Sequence, residues 1–453
     1  MNETEGRVIP GGFCIGCGAC AHLDGEKFAI AWTAAGTLQA HDRIERPARS
    51  EVDRVCPFSS GSASETQIGE RVFSGEGARR HPVIGRYRGC YVGFVREGDY
   101  RARGSSGGVG KWVLAELLQR GAVDAVIQIT PRVGGDRLFD YARHDTVAGV
   151  LEGSRSAYYP VTLTGALETM RDTPGRYAVT ALPCFAKALR NLAENDPVLG
   201  ERLSYVVGTA CGHMKSAAYA KLLAWQVGVP PRKLRGIDFR GKLEGRKAND
   251  KGVLATDATA THPPQSSRDL FGGNWGWNFF KYKACDYCDD VMAETADISV
   301  GDAWLPEYID DSGGNNVVVV RNRRIGELID GAIADGRLAL ECCEPEVVAR
   351  SQRGGIRHKS EGLALRLWDD RSAHRWIPKK RISPSRNIPE KRKNIYRTRV
   401  LIRDKSHEAF EEAVEQNDLQ HFVTTMRPLV ERLDKRNYWR ELVALVARIW
   451  RRD

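Results

Sequence analysis

The chain has 453 residues, 42% apolar and 28% charged, with a mean hydropathy of −0.41, which excludes disorder throughout and supplies apolar matter for two or three cores. No apolar run approaches the roughly 20 residues that cross a bilayer, and Met1-Asn2-Glu3-Thr4-Glu5-Gly6 is acidic where a secretory signal is basic and then apolar, so the cytoplasm is expected. The net charge of +10 lies wholly in residues 371–453, which hold 21 Lys and Arg against 11 Asp and Glu, while the preceding residues hold 47 of each. A neutral body with a basic tail argues that whatever the tail attracts acts apart from the body's chemistry. Eleven cysteines in a reducing compartment point to metal or redox chemistry rather than disulfides.

In chain order, residues 1–64 come first, as a cluster-bearing module. Cys14, Cys17 and Cys20 form Cys-x-x-Cys-x-x-Cys, and Cys56-Pro57 adds a displaced fourth cysteine, the ligand pattern of bacterial ferredoxins. Gly16 and Gly18 allow the turn that aims amides at sulfur, and Phe13 and Ile15 offer shielding. A structural zinc site is the alternative, although zinc is usually held by two separated Cys-x-x-Cys pairs. Ser59-Ser60-Gly61-Ser62-Ala63-Ser64 then reads as a linker, followed by a charged loop to about Arg88.

From there the pattern alternates. It predicts strands at Cys90–Val95, Val123–Ile129, Tyr177–Leu182 and Ser204–Gly208, and helices at Val109–Arg120, Lys187–Glu194 and Ala217–Val227. The fold class expected is α/β, with a largely parallel or mixed helix-covered sheet spanning 88–365. Ser105-Ser106-Gly107-Gly108 stands before the first of these helices, where free amides can cradle an anion or simply cap the helix.

A second cysteine set is scattered. Cys184 and Cys211 each follow the carboxyl end of a predicted strand, the edge where such sheets gather their sites, and Cys285-x-x-Cys288 could complete four thiolates. The alternative is that the first two are small buried residues and the pair is empty or holds zinc. Cys90, Cys342 and Cys343 are read as structural, since free cysteine is usually buried. His213 and Lys215 follow Cys211 without a visible partner, so a solvated or structural role is the simpler reading and no general acid is assigned. Beyond Asp370, Pro378, Pro384 and Pro389 punctuate a basic linker, and 371–453 ends in helical segments.

Seven landmarks resemble, in order, the coenzyme F-420 hydrogenase/dehydrogenase beta-subunit family, whose relatives include 7-hydroxymethyl chlorophyll a reductase. They are the Cys14–Cys20 start with Cys56-Pro57, Ser105–Gly108, Leu182-Pro183-Cys184, the Cys211 segment, Ile237–Lys242, Cys285-x-x-Cys288-Asp289 and Ala296–Trp304. The resemblance implies FAD beside a [4Fe-4S] cluster on Cys184, Cys211, Cys285 and Cys288, and a second [4Fe-4S] cluster on the ferredoxin-like module. Ser105, Ser106, Gly107 and Gly108 would then hold the flavin with Ser154, Arg155 and Tyr158. Two departures stand out. The family's Gly-Ser-Lys/Arg-Tyr appears as Gly153-Ser154-Arg155-Ser156-Ala157-Tyr158, and its Pro-Cys-Gln as Pro183-Cys184-Phe185.

The leading function is an iron-sulfur flavoprotein oxidoreductase joining a ferredoxin-type or deazaflavin donor to a small-molecule substrate. The runner-up is an electron-transfer subunit that exchanges electrons with reduced coenzyme F-420 for a separate catalytic partner. A third reading, zinc sites with a nucleic-acid arm, is opposed by the Cys14–Cys20 spacing. The tail segment Tyr438–Arg452 pairs an apolar stripe with arginines, which suits either docking on the body or a peripheral contact with the inner membrane surface.

Overall fold

Alternate residues of the predicted strands must face opposite ways, and here both faces are apolar. Val126, Ala178 and Val207 pack on one side with the helix α1 (Val109–Gln119), while Ile127, Val179 and Val206 pack on the other with α2 (Pro183–Asn195) and α3 (Ala217–Gln226). The result, in a computed structural model that describes residues 2–132 and 137–433, is a mixed eight-stranded sheet. Its strands are β1 (Gly89–Val95), β2 (Ala125–Pro131), β3 (Phe139–His144), β4 (Tyr177–Ala181), β5 (Leu203–Thr209), β6 (Ile298–Asp302), β7 (Asn316–Val320) and β8 (Leu338–Cys342). They lie in the order β8-β1-β7-β6-β5-β4-β2-β3. β6, β5, β4 and β2 are parallel, and the remaining strands join antiparallel. The α/β class expected from the sequence is thus found, in its mixed form.

Several details differ from expectation. The helix after β4 begins at Pro183, not Lys187, because proline's fixed φ suits a first helical turn; Cys184 therefore sits inside that turn. The stretch expected as a loop to Arg88 contains a helix, Glu65–Phe73, and the paired strands Arg79–His81 and Gly85–Tyr87. The reason was local: Ser64 and Gln67 form a reciprocal capping box. Cys342 is exposed on β8, so burial does not explain it.

The tail is packed onto the body. After α4 (Arg353–Lys359) and α5 (Glu361–Ser372), the chain crosses to α6 (Glu390–Gln416) and a further helix over 419–433. Phe410 of α6 and Phe422 enclose Phe280, with ring centroids 5.3 and 5.6 Å away. The Phe280 amide donates to Ser406 Oγ at 2.9 Å. Phe280 has φ of 55°, a strained state for a bulky residue that persists only where its surroundings over-determine it. The Tyr438–Arg452 helix lies outside the described residues; within them no helix is long and apolar enough to cross a membrane.

The tie between tail and body is Asp286, between Cys285 and Cys288. Its fully buried carboxylate accepts from Lys281 Nζ at 2.5 Å and Arg403 Nη1 at 2.6 Å. Arg366 Nε donates to its carbonyl at 2.7 Å. Burial alone would raise its pKa, but Lys281 and Arg366 outweigh burial and hold the carboxyl well below the usual range. Asp286→Ala is expected to cost about 3–5 kcal/mol, because it strands buried cations. Removing the exposed Arg323–Glu327 pair should leave thermal stability unchanged. Denaturation of both variants checks this.

Candidate redox site

Two cysteine groups form. In the first, Gly16 and Gly18 have φ of 66° and 91°, and a Cβ on Gly16 would stand 2.4 Å from Leu38 O. The turn so made lets Cys14 Sγ accept from the Gly16 and Ala40 amides at 3.4 and 3.3 Å. Cys14, Cys17, Cys20 and Cys56 line one small cavity with Phe13, Ile15, Ile30 and Phe58. Burial, reinforced by the neighbouring thiols, pushes Cys56 up to about 11 and Cys17 and Cys20 further.

In the second group, Ala181 of β4 pairs with Gly208 of β5, so Cys184 and Cys211 each lie three residues beyond paired positions of neighbouring strands. Cys285 lies in the turn Lys283–Tyr287, and Cys288 ends it. Cys184 is influenced by the charges of Cys288, Cys285 and Cys211, after burial, which dominates. The Met214 amide donates to Cys285 Sγ at 3.2 Å. Lys359 Nζ reaches Cys288 Sγ at 3.2 Å and Asp290 O at 2.6 Å. Burial opposes the charge on Lys359, but Cys288, Cys211 and Cys285 outweigh it and raise its pKa.

Among the described residues no three His, Cys, Asp or Glu side chains converge on a single metal ion. Cys14, Cys17, Cys20 and Cys56 around one cavity are a donor set of the kind that holds an iron-sulfur cluster or zinc. The two groups are neighbours. Tyr141 lies within electrostatic reach of both Cys184 and Cys17, and Tyr282, whose hydroxyl accepts from the Leu38 amide at 2.8 Å, within reach of both Cys14 and Cys285.

Cys211 also lines a cavity of about 930 Å³ beyond the parallel strand ends, near the top of the roughly 300–1,000 Å³ usual for ligand sites. Ser105, Ser106, Gly108, Ser154, Arg155 and Tyr158 line it too. Ser105 Oγ accepts from the Ser156 amide at 2.8 Å, Ser106 Oγ donates to Asn315 O at 2.8 Å, and Arg155 pairs with Asp238. Tyr158, two places late for the family pattern, accepts from Arg240 Nη1 at 3.3 Å and meets Trp275 at 4.5 Å. Lys111 Nζ pins the Gly153 carbonyl at 2.6 Å, and burial lowers its pKa to about 8.

Gly107 is placed differently. A Cβ there would lie 2.6 Å from Gly93 O and 2.9 Å from Asn316 N, so it faces the sheet rather than the cavity. Nor are His213 and Lys215 solvated: both are buried and line the cavity. His213 stacks on Trp275 at 4.3 Å, and Lys215 Nζ donates to Phe279 O at 2.6 Å. Ten Lys and Arg residues but one carboxylate, Asp302, line the cavity. Six lining residues carry a buried side-chain nitrogen without a hydrogen-bond partner: Arg155, His213, Arg240, Asn278, His358 and Arg399. Such a set fits a large anionic, aromatic ligand.

Sequence reasoning missed Lys111, Lys359 and Trp275, single residues outside any motif. Arg240 and Asp302 lie in segments that carry the family resemblance, but nothing in their spacing signals a role. The tail was expected to act apart from this chemistry, yet α6 supplies Arg392, Ile395, Tyr396 and Arg399 to the wall; its polar sequence gave no sign of where it docks. Gly107→Ala is expected to cost about 1–3 kcal/mol by overpacking. Gly110→Ala, with nothing within 4 Å of its Cβ, should be neutral or gain about 0.5–1 kcal/mol. Thermal denaturation separates the two.

Comparison with known proteins gives two family matches. The N-terminal model of the coenzyme F420 hydrogenase/dehydrogenase beta subunit matches residues 90–168, and the C-terminal model matches residues 175–346. No curated protein matches the chain. Among solved structures, it is similar to a chain of the F420-reducing [NiFe] hydrogenase complex from Methanosarcina barkeri, at 16% identity and a TM-score of 0.48, over 64% of this chain and 96% of that one. A likeness of that size carries no inference about ligands or assembly. The two family matches, over the sheet and both of its site-bearing loops, establish that the chain belongs to the coenzyme F420 hydrogenase/dehydrogenase beta-subunit family.

Proposed function

We propose that this chain is an iron-sulfur flavoprotein oxidoreductase. Cys14, Cys17, Cys20 and Cys56 would hold one [4Fe-4S] cluster and Cys184, Cys211, Cys285 and Cys288 another. FAD would lie against Ser105, Ser106, Gly108, Ser154, Arg155 and Tyr158. The observation that carries this reading is Cys211, which belongs to the second cysteine group and also lines the cationic, aromatic-walled cavity. Bound there, the clusters supply single-electron transfer and the flavin exchanges single electrons for a hydride pair.

The chain's own residues do the rest. Amides aimed at Cys14 and Cys285 favour thiolate over thiol, and Lys359 offsets the charge of the second group. Tyr141 and Tyr282, both buried, lie within electrostatic reach of a cysteine from each group. Tyr158, Trp275 and His213 give the cavity flat faces, and the cations beside α1, Lys111 and Arg155, favour a diphosphate. In this reading residues 1–64 act as the entry module for a ferredoxin-type donor, and 88–365 act on a small-molecule substrate. Reduced coenzyme F-420 is the other donor the family name suggests.

Cys14→Ser and Cys285→Ser should each remove about half the iron, and Cys14→Ser should keep its flavin. Gly110→Leu should lower flavin content while iron content holds, because it fills open space at the cavity wall. Zinc in place of iron, or unchanged iron in both cysteine variants, would overturn the proposal.

A further inference from the structure

The positive charge of the cavity is unevenly neutralised. At the α1 end, Arg155 pairs with Asp238 and Arg240 with Asp302. Where the C-terminal helices form the wall, α4 contributes Arg353 and Arg357, and α6 contributes Arg392 and Arg399. Arg392 is paired with Glu361. Arg353, Arg357 and Arg399 have no carboxylate partner among the described residues. Arg399 Nε is buried without a hydrogen-bond partner, and its Nη2 lies 3.4 Å from where a Cβ on Gly276 would stand, beside Trp275. Burial, then repulsion from Arg357, Arg366 and Arg392, lowers the pKa of Arg399. A buried guanidinium nitrogen such as Arg399 Nε is costly to leave unpartnered unless an anion completes it, and the planar fork of these arginines matches carboxylate and phosphate oxygens. Both α4 and α6 lie C-terminal to the residues that match the family.

We propose that the α4–α6 end is a subsite for an oxyanion group, carboxylate or phosphate, on the substrate, and that Arg357 and Arg399 determine its specificity. The proposal rests on the preceding reading only in assigning the α1 end to the flavin. The test is calorimetric titration of the full chain with citrate and, separately, inorganic pyrophosphate, in wild type, Arg357→Gln and Arg399→Gln, with flavin and iron assayed in the same samples. Arg357 is exposed and Arg399 is repelled by its neighbours, so both variants should fold. Saturable binding that weakens about tenfold or more in either variant, at unchanged flavin and iron, is the expected result. The tighter of the two probes tells carboxylate from phosphate. Equal affinity in all three proteins, or no binding by wild type, overturns the subsite. Loss of flavin in the variants also overturns it, by assigning these arginines to the flavin's diphosphate, and leaves the flavoprotein reading intact. A chain free of flavin and iron that still binds a probe through Arg357 and Arg399 keeps the subsite and removes that reading.

Discussion

A carboxylate with no exposed surface, Asp286, sets the arrangement of everything around the second cysteine group. Three buried cations face it from three parts of the chain: Lys281 from the loop before it, Arg366 from α5 and Arg403 from α6. None of these can be buried at tolerable cost without its partner, so the loop, α5 and the tail must close together. That closure places Lys359 beside Cys288, and it brings α6 to the wall of the cavity. It also explains why Phe280 is held in a left-handed conformation, with α6 and the helix over 419–433 packed around its ring.

The sheet supplies the second constraint. Parallel neighbours end on the same edge, so chain segments that leave β4 and β5 start side by side. Cys184 and Cys211 are 27 positions apart in sequence yet follow paired residues by the same interval. The N-terminal module reaches the same place by another route. Phe13 meets Tyr287 edge to face at 4.9 Å, and the Leu163 amide donates to Cys17 O at 3.0 Å. Both thiol groups and the cavity therefore sit together.

Most of what could be read in the sequence was short-range. Cys-x-x-Cys-x-x-Cys and Cys285-x-x-Cys288 carry their meaning in their spacing, and apolar alternation located β1, β2, β4 and β5. The capping box at Ser64 and Gln67 was equally legible but lay inside a charged stretch, and the charge masked it. Gly107 shows a different limit, because a glycine required by a neighbouring strand looks the same in sequence as one required by a ligand. The tail's role was hidden for a third reason. Arg403 lies 117 residues from Asp286, and a basic helix gives no sign of which distant carboxylate will hold it. Formal charge thus described the tail correctly, as basic, and yet implied the wrong independence.

In the proposed function, two thiol groups and one cavity act as a single redox unit. Its most direct test is analysis of anaerobically purified full-length protein for iron, sulfide, zinc and flavin, together with its visible spectrum. The expected result is a brown protein with about eight iron atoms, matching sulfide and one FAD per chain. A colourless protein carrying zinc and no flavin would contradict it.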